Sequence, residues 1–122
     1  MKKNFFSVNT WLLRFRYAWH GIGISFRTEH SMWIHFFSTI AVAILSVIKG
    51  VAIIEAIVLA FSIGFVWVAE LFNTAIEKLA DKVSMEFNEQ IKIVKDLSAG
   101  AVLVASIVAA ITGLLIFIPK FL

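Results

Sequence analysis

Residues 69–81 read Ala69-Glu70-Leu71-Phe72-Asn73-Thr74-Ala75-Ile76-Glu77-Lys78-Leu79-Ala80-Asp81, and they follow directly on an apolar run. The preceding residues, 56–69, carry no charge. On a helix with about 100° between residues, the polar side chains of this stretch fall on one narrow stripe, roughly 16 Å long. The stripe consists of Glu70, Asn73, Glu77 and Asp81. A carboxylate at the end of a hydrophobic span is costly to keep ionised in hydrocarbon, so the stripe is a candidate functional site.

The composition indicates an integral membrane protein. A chain of 122 residues is one domain, and 61% hydrophobic against 16% charged residues is too apolar for a soluble fold of this size. One proline and six glycines leave little room for long irregular loops, so the predicted fold class is all-α. The absence of cysteine from the sequence excludes disulfides and cysteine-ligated metal sites. The three histidines lack a convincing metal-ligand spacing.

Residues from about 5 to 27 predict an amphipathic helix that lies on the membrane surface. Its hydrophobic side chains recur at spacings of three and four, which is the seam of such a helix. They are Phe5, Val8, Leu12, Phe15, Trp19, Ile22 and Phe26. Arginine and tryptophan side chains on the same segment suit anchoring in an anionic headgroup layer. The residues alone leave open whether the helix is only an anchor or also walls a site.

Three segments are long and apolar enough to cross a bilayer. They lie at about residues 31–48, 52–72 and 97–118. The second continues as helix to about residue 83, because its charged last turns must leave the lipid. A turn at Gly50 makes the first two spans antiparallel, and Asn88 is suited to cap the third helix. The whole chain, 1–122, is therefore predicted to form a single membrane domain.

The basic residues predict the orientation in the membrane. Nine of the eleven Lys and Arg residues fall on the side that holds the N-terminus, and only Lys49 and Lys120 lie on the other. The excess of positive charge places the N-terminus in the cytoplasm. The polar candidates then collect at the cytoplasmic face. They are Glu29, the stripe on the second span, Glu86, Lys95 and Asp96.

This arrangement suits a site that takes one reactant from the cytosol and another from the bilayer. Carboxylates beside a lysine can hold a divalent cation and a polyphosphate, because hard oxygen ligands suit Mg²⁺ and Lys95 would offset phosphate charge. Glu70, the most deeply placed, is a candidate general base for a lipid hydroxyl. The same residues also fit a small transporter or channel, or polar contacts within an assembly. The sequence contains no P-loop or soluble-kinase signature that decides between these classes.

Several short motifs spread over nearly the whole chain belong together. They are residues 69–77 with Asp81, Tyr17-x-Trp19-x-Gly21, Glu29, Lys95-Asp96 and Gly100-Ala101-Val102-Leu103. In combination they resemble the small prokaryotic diacylglycerol kinase family, whose Gram-positive-type members act as undecaprenol kinases. The chain departs from the usual family pattern at Ser31 and Trp33, where Asn and Arg are common, and at Glu86-Phe87-Asn88, where Glu-Tyr-His is common.

The resemblance implies a fold and roles for individual residues. The fold would be a homotrimeric bundle of subunits with three transmembrane helices and one surface helix each. Glu70 would be the general base, with Asn73 orienting the site. Glu29 and Glu77 would bind Mg²⁺. The ATP-contacting residues would be Tyr17, Glu29, Glu77, Glu86, Lys95 and Asp96, and the substrate-contacting residues Trp19, Glu70 and Ala99.

The resemblance also implies a reaction. It would be ATP-dependent phosphorylation of a membrane lipid alcohol at the cytoplasmic face of the bacterial inner membrane, without a nucleic-acid partner. Ile34-His35-Phe36 is more typical of the undecaprenol kinase branch, so undecaprenol is the expected acceptor. Diacylglycerol is the alternative acceptor, and a small proton-coupled transporter is the more distant alternative.

Overall fold

The computed structural model describes residues 7–122, which form four α-helices. Their bounds are α1 Val8–Thr28, α2 His30–Lys49, α3 Ile53–Val83 and α4 Glu89–Phe121. The predicted all-helical class is confirmed over this part of the chain. Residues 5 and 6 of the predicted surface helix, and Lys2 and Lys3 of the charge count, lie outside the described residues.

Three of the four helices are long and apolar enough to cross a membrane. They are α2, α3 and α4, with 20, 31 and 33 residues. At about 1.5 Å per residue, α2 matches a hydrocarbon layer of about 30 Å, whereas α3 and α4 are longer than this layer is thick. The extra length of α3 includes its charged last turns, so the stripe runs along the part of the helix that extends past the apolar run.

The helix ends follow from the local sequence. The Ser7 side chain caps α1 by accepting a hydrogen bond from a backbone N–H of the first turn, at 3.2 Å. Gly50 ends α2 with φ 67°, in the left-handed region that glycine adopts without steric cost. The Asn88 side-chain oxygen accepts hydrogen bonds from the backbone N–H groups of Gln90 and Ile91, so Asn88 caps α4 as expected.

The packing within one chain is sparse. α3 makes its largest contact with α4, and α2 and α1 also pack on α3. The buried hydrophobic side chains are Met32, Leu59, Val66, Ala80, Ala105 and Phe117. Most of the large hydrophobic side chains among residues 7–122 are exposed. A single chain therefore leaves most of its apolar surface to be covered by lipid or by another protein surface.

An aromatic cluster joins α1, α2 and α3. Its members are Phe26, Trp33, Phe36, Phe37 and Trp67, and neighbouring ring centroids lie 5.0 to 6.4 Å apart. The Trp33 indole also donates a hydrogen bond to the Phe26 carbonyl oxygen at 2.9 Å. Edge-to-face aromatic pairs at such separations contribute to stability beyond the apolar area that they bury. The cluster fixes the corner between α1 and α2, which places the start of α2 against α3.

The other end of the bundle is held by charged side chains. Lys120 on α4 donates a hydrogen bond to the Glu55 carboxylate on α3, with 2.9 Å between Nζ and Oε1. The same carboxylate oxygen accepts from the Ala52 N–H at the start of α3. The Lys49 ammonium lies 4.0 Å from the centroid of the Phe121 ring. Glu55 is therefore engaged in holding helix ends together, a structural role.

Replacing Gly50 with alanine should destabilise the turn between α2 and α3. The left-handed conformation costs an L-residue roughly 1–2 kcal/mol, and no neighbouring atom lies within 4 Å of the added Cβ, so the loss is conformational. We expect Gly50→Ala to lower the free energy of unfolding by about 1 kcal/mol. Unfolding in detergent micelles followed by circular dichroism measures it. Gly21→Ala, within α1 and equally free of neighbours, is the control that should lose nothing. An equal midpoint for Gly50→Ala and the parent would contradict the account.

Candidate active site

The acidic stripe of α3 runs from the packed interior to the surface. Glu70 is only 3% exposed and Asn73 9% exposed, whereas Glu77 is half-buried and Asp81 is exposed. A carboxylate as deeply buried as Glu70 normally requires partners, because burial without them costs several kcal/mol. The contacts of Glu70 therefore decide what this stripe can do.

α2 supplies both neighbours of the Glu70 carboxyl group. Ser31 donates a hydrogen bond to Oε1. On the other side, His35 Nε2 lies 3.5 Å from Oε2. This second contact is within ion-pair distance but lacks hydrogen-bond geometry, and both atoms are buried with no hydrogen-bond partner among the described residues. Ser31 and His35 are four positions apart, so α2 turns both toward the same carboxyl group.

Hydroxyl groups on the neighbouring helices hold the rest of the stripe. Ser98 on α4 donates to the Asn73 side-chain oxygen at 2.8 Å, and both residues are buried. Thr74 donates to the Glu70 carbonyl oxygen at 3.0 Å, and its hydroxyl lies 3.4 Å from that of Ser25 on α1. Each of α1, α2 and α4 thus contributes a serine that contacts α3 at the level of the stripe.

Charged groups gather around Glu77. The charges of Glu29, Asp81, Glu70 and Lys95 all act on its carboxyl group. Lys95 on α4 pairs with Asp81 on α3, with 2.6 Å between Nζ and Oδ1. The structure therefore brings together five of the predicted residues, drawn from the start of α2, the last turns of α3 and the first turns of α4. Acidic groups outnumber the lysine here, and the excess negative charge suits a cation.

The acidic cluster can hold a metal ion only if water or substrate supplies some of the ligands. Within residues 7–122, no three His, Asp or Glu side chains are placed to bind one ion together. Mg²⁺ usually takes one or two carboxylates and completes its shell with water and substrate phosphates. Glu29 and Glu77, two carboxylates close enough to interact, fit that pattern.

Other residues implied by the resemblance lie elsewhere in the single chain. They are Tyr17 and Trp19 on α1, Glu86 between α3 and α4, and Ala99 on α4, all exposed. Asp96 is also exposed and pairs with Lys92 one turn earlier, at 2.6 Å. No contact described for residues 7–122 links these side chains to Glu70 or Glu77. Their roles stay predictions.

Two cavities flank the stripe. An open apolar groove of about 870 Å³ lies between α3 and α4, with Ala69 and Phe72 on one wall and Asp96 at its edge. A smaller cavity of about 280 Å³ lies between α2, α3 and α4 and is lined by His35 and by small and apolar side chains down to Gly113. Residues next to Glu70 in the sequence or in space, Ala69 and His35, therefore line apolar cavities.

Sequence reasoning missed three contributors to the site: the roles of Ser31, His35 and Ser98. Ser31 was noted only as a departure from the family pattern, and His35 only as part of a segment typical of the undecaprenol kinase branch. Their spacing of four on a predicted helix nevertheless indicates a shared face. Nothing in the sequence marks Ser98 as a contact of the stripe except its position shortly after Asp96. Serine is common in apolar helices simply as a small residue.

Comparison with known proteins gives consistent matches. The family model for prokaryotic diacylglycerol kinase matches residues 16–117. A diacylglycerol kinase of Synechocystis sp. is 39% identical over 112 residues, which are 91% of this chain and 64% of that protein. An undecaprenol kinase of Bacillus subtilis is 36% identical over 113 residues, 93% of this chain and 92% of that protein. A diacylglycerol kinase of Escherichia coli is 28% identical over 105 residues, 86% of each chain.

These matches and the helical architecture define the class, which is that of small proteins with membrane-length helices whose relatives are named as lipid kinases. Within that class, the chain belongs to the prokaryotic diacylglycerol kinase family. The resemblance drawn from the motifs is thereby confirmed. The chain spans less than two thirds of the length of the Synechocystis relative, and the relatives carry two different substrate names.

Removing the Ser98 hydroxyl should weaken the packing of α3 on α4. Ser98→Ala leaves the buried Asn73 oxygen without its donor, a loss of about 1–3 kcal/mol in the free energy of unfolding. Ser106→Ala on the same helix is the matched control, since Ser106 makes no contact with the stripe among the contacts described. Chemical unfolding of the two variants in micelles measures the difference. Equal stability of the two would show that the Ser98 bond contributes nothing.

Proposed function

We propose that the chain transfers the γ-phosphoryl group of ATP to the hydroxyl group of a membrane lipid at the cytoplasmic face of the membrane. The observation that carries the proposal is the placement of Glu70. Its buried carboxyl group faces His35, which lines an apolar cavity, and its charge acts on Glu77 in the charged cluster. A membrane lipid alcohol and a water-soluble phosphate donor could both reach a carboxyl group in this position. Family membership supports a kinase over the small transporter that the composition also allowed.

Glu70 is proposed as the general base that accepts the acceptor's hydroxyl proton. A carboxylate can act in such a step when it lies within hydrogen-bond reach of the hydroxyl. Ser31 holds Oε1 in the structure, so the acceptor hydroxyl would replace Ser31 or share that oxygen with it. Asn73, fixed by Ser98, would orient the site from the next turn of α3.

Glu29 and Glu77 are proposed to hold Mg²⁺, and Lys95 to contact the ATP phosphates. Bound Mg²⁺ supplies charge neutralisation for phosphoryl transfer. The pairing of Lys95 with Asp81 places its ammonium group at the edge of the acidic cluster. Tyr17, Glu86 and Asp96 are proposed as further ATP contacts, as the family resemblance implies.

Undecaprenol is the favoured acceptor, with diacylglycerol as the alternative. The Bacillus subtilis undecaprenol kinase matches this chain over nearly the full length of both proteins. The match to the Synechocystis diacylglycerol kinase has slightly higher identity but leaves a third of that protein uncovered. Ile34-His35-Phe36, which contains the Glu70 neighbour His35, also favours the undecaprenol branch. Trp19 and Ala99 are proposed as lipid contacts.

A homotrimer in the bacterial inner membrane, with a cytoplasmic N-terminus, completes the proposal. One chain leaves most of its apolar surface uncovered and keeps Tyr17 and Glu86 exposed. Packing of neighbouring subunits would cover that surface and close the polar stripe off from lipid. α1, with most of its first half exposed, would lie on the membrane surface as the predicted amphipathic helix.

The proposed function is tested by transfer of label from γ-labelled ATP to a chloroform-extractable product in micelles that contain undecaprenol or diacylglycerol. Glu70→Gln is the matched control, because the amide keeps the size of the side chain but cannot act as the base. We expect it to lower kcat by about 10²- to 10⁴-fold while the protein stays folded. An unlabelled lipid fraction with both acceptors would refute the proposed function, and an unchanged rate for Glu70→Gln would remove that residue from the role of base.

Glu77→Gln should raise the Mg²⁺ concentration needed for half-maximal activity. One of two carboxylates that fit the ion is then neutral, so the site attracts the cation less. A Mg²⁺ titration of initial rates at saturating ATP measures the shift, which we expect to be about tenfold for a lost ligand. Glu89→Gln, an exposed carboxylate in the first turn of α4, is the control. Coincident titrations for Glu77→Gln and the parent would exclude Glu77 as a metal ligand.

A further inference from the structure

The contact between His35 and Glu70 is left unexplained by the proposed reaction. His35 Nε2 and Glu70 Oε2 face each other at 3.5 Å, and each is buried and unpaired among the described residues. Unpaired buried polar atoms cost free energy and are rare in folded proteins. Two of them facing one another across a gap slightly too long for a hydrogen bond indicate a contact that closes in another state of the protein.

Catalytic hydrogen bonds are often long or poorly aligned in ligand-free proteins and shorten when substrate binds. Shortening the gap between Nε2 and Oε2 by about 0.5 Å would give an ordinary charge-assisted hydrogen bond. Ser31, on the same face of α2, already holds the other oxygen of the carboxyl group. A small movement of α2 toward α3 would therefore fix both oxygens from one helix.

We propose that His35 is the positioning residue of Glu70: in the loaded enzyme its Nε2–H donates to Glu70 Oε2 and directs Oε1 toward the acceptor hydroxyl. This inference rests on the proposed role of Glu70 as general base. It follows the general arrangement in which a base is oriented by a third group that does not itself touch the substrate. The proposed bond requires a proton on Nε2.

The surroundings of His35 support a polar rather than a packing role. Its ring lines the cavity of about 280 Å³, so one side of the imidazole faces open space. A side chain whose role was only packing would fill that space. The next turn of α2 is fixed separately, because Thr39 accepts a hydrogen bond from the Trp67 indole at 3.0 Å. The backbone of α2 at His35 is thus held without any contribution from the imidazole nitrogen that faces Glu70.

The test compares three replacements by the reach of their donor. The glutamine amide nitrogen lies near the position of the histidine Nε2, whereas the asparagine amide is too short and leucine has no donor. We expect His35→Asn and His35→Leu to lower kcat by about 10- to 100-fold and to leave the KM for ATP within about twofold of the parent value. His35→Gln should stay within about fivefold of the parent kcat.

His30→Leu is the control, because His30 is exposed at the start of the same helix. The double variant Glu70→Gln with His35→Leu should be no slower than Glu70→Gln alone, since a positioning residue acts only through the group that it holds. If His35→Leu does not fold, the comparison of glutamine with asparagine carries the test.

Three results would overturn the inference. They are a parent-like kcat for His35→Leu, equal losses for His35→Gln and His35→Asn, and a further loss in the double variant. Each of these presumes a parent protein that phosphorylates a lipid alcohol. A parent protein inactive with both acceptors would instead overturn the proposed function, and this inference with it, so the two failures are told apart by the parent rate.

Discussion

Burial of the Glu70 carboxyl group is the constraint on which the rest of the site depends. An acidic side chain that is 3% exposed in an apolar bundle is stable only if neighbouring helices supply polar contacts. On α2, Ser31 donates a hydrogen bond to one carboxyl oxygen, and His35 Nε2 lies 3.5 Å from the other. The position of α2 is set in turn by the aromatic cluster at its junction with α1. Glu29 is the only residue between α1 and α2. The tight corner there brings the aromatic rings of both helices together and also places α2 beside the Glu70 carboxyl group.

The site also shows how a bundle of few buried residues can place polar groups accurately. Hydroxyl groups from three helices contact α3 within about one turn, at Glu70, Asn73 and Thr74. In apolar surroundings such bonds have little competition from water, so each one restricts the register of its helix. The far end uses charge for the same purpose, through Glu55 and Lys120. α3 is therefore held at both ends, while its middle presents apolar surface.

Apolar cavities lined by residues next to Glu70, and charged side chains further along α3, fit the proposed reaction between a lipid and a water-soluble phosphate donor. Phosphoryl transfer depends mostly on positioning and charge neutralisation, and needs little covalent chemistry from the protein. A small helical bundle can meet that demand without a nucleotide-binding domain. Family membership agrees with this view of the site, and the relatives that match are named diacylglycerol kinase and undecaprenol kinase.

The sequence by itself determined the all-helical class, three helices of membrane length and the acidic stripe, because these depend on hydropathy and on the period of one helix. It also identified the family, since the motif residues are contiguous or regularly spaced. Only the tertiary structure decided that Ser31, His35 and Ser98 contact the stripe. Contacts between helices depend on rotation and register, which are set by packing and are not encoded in the period of any single segment.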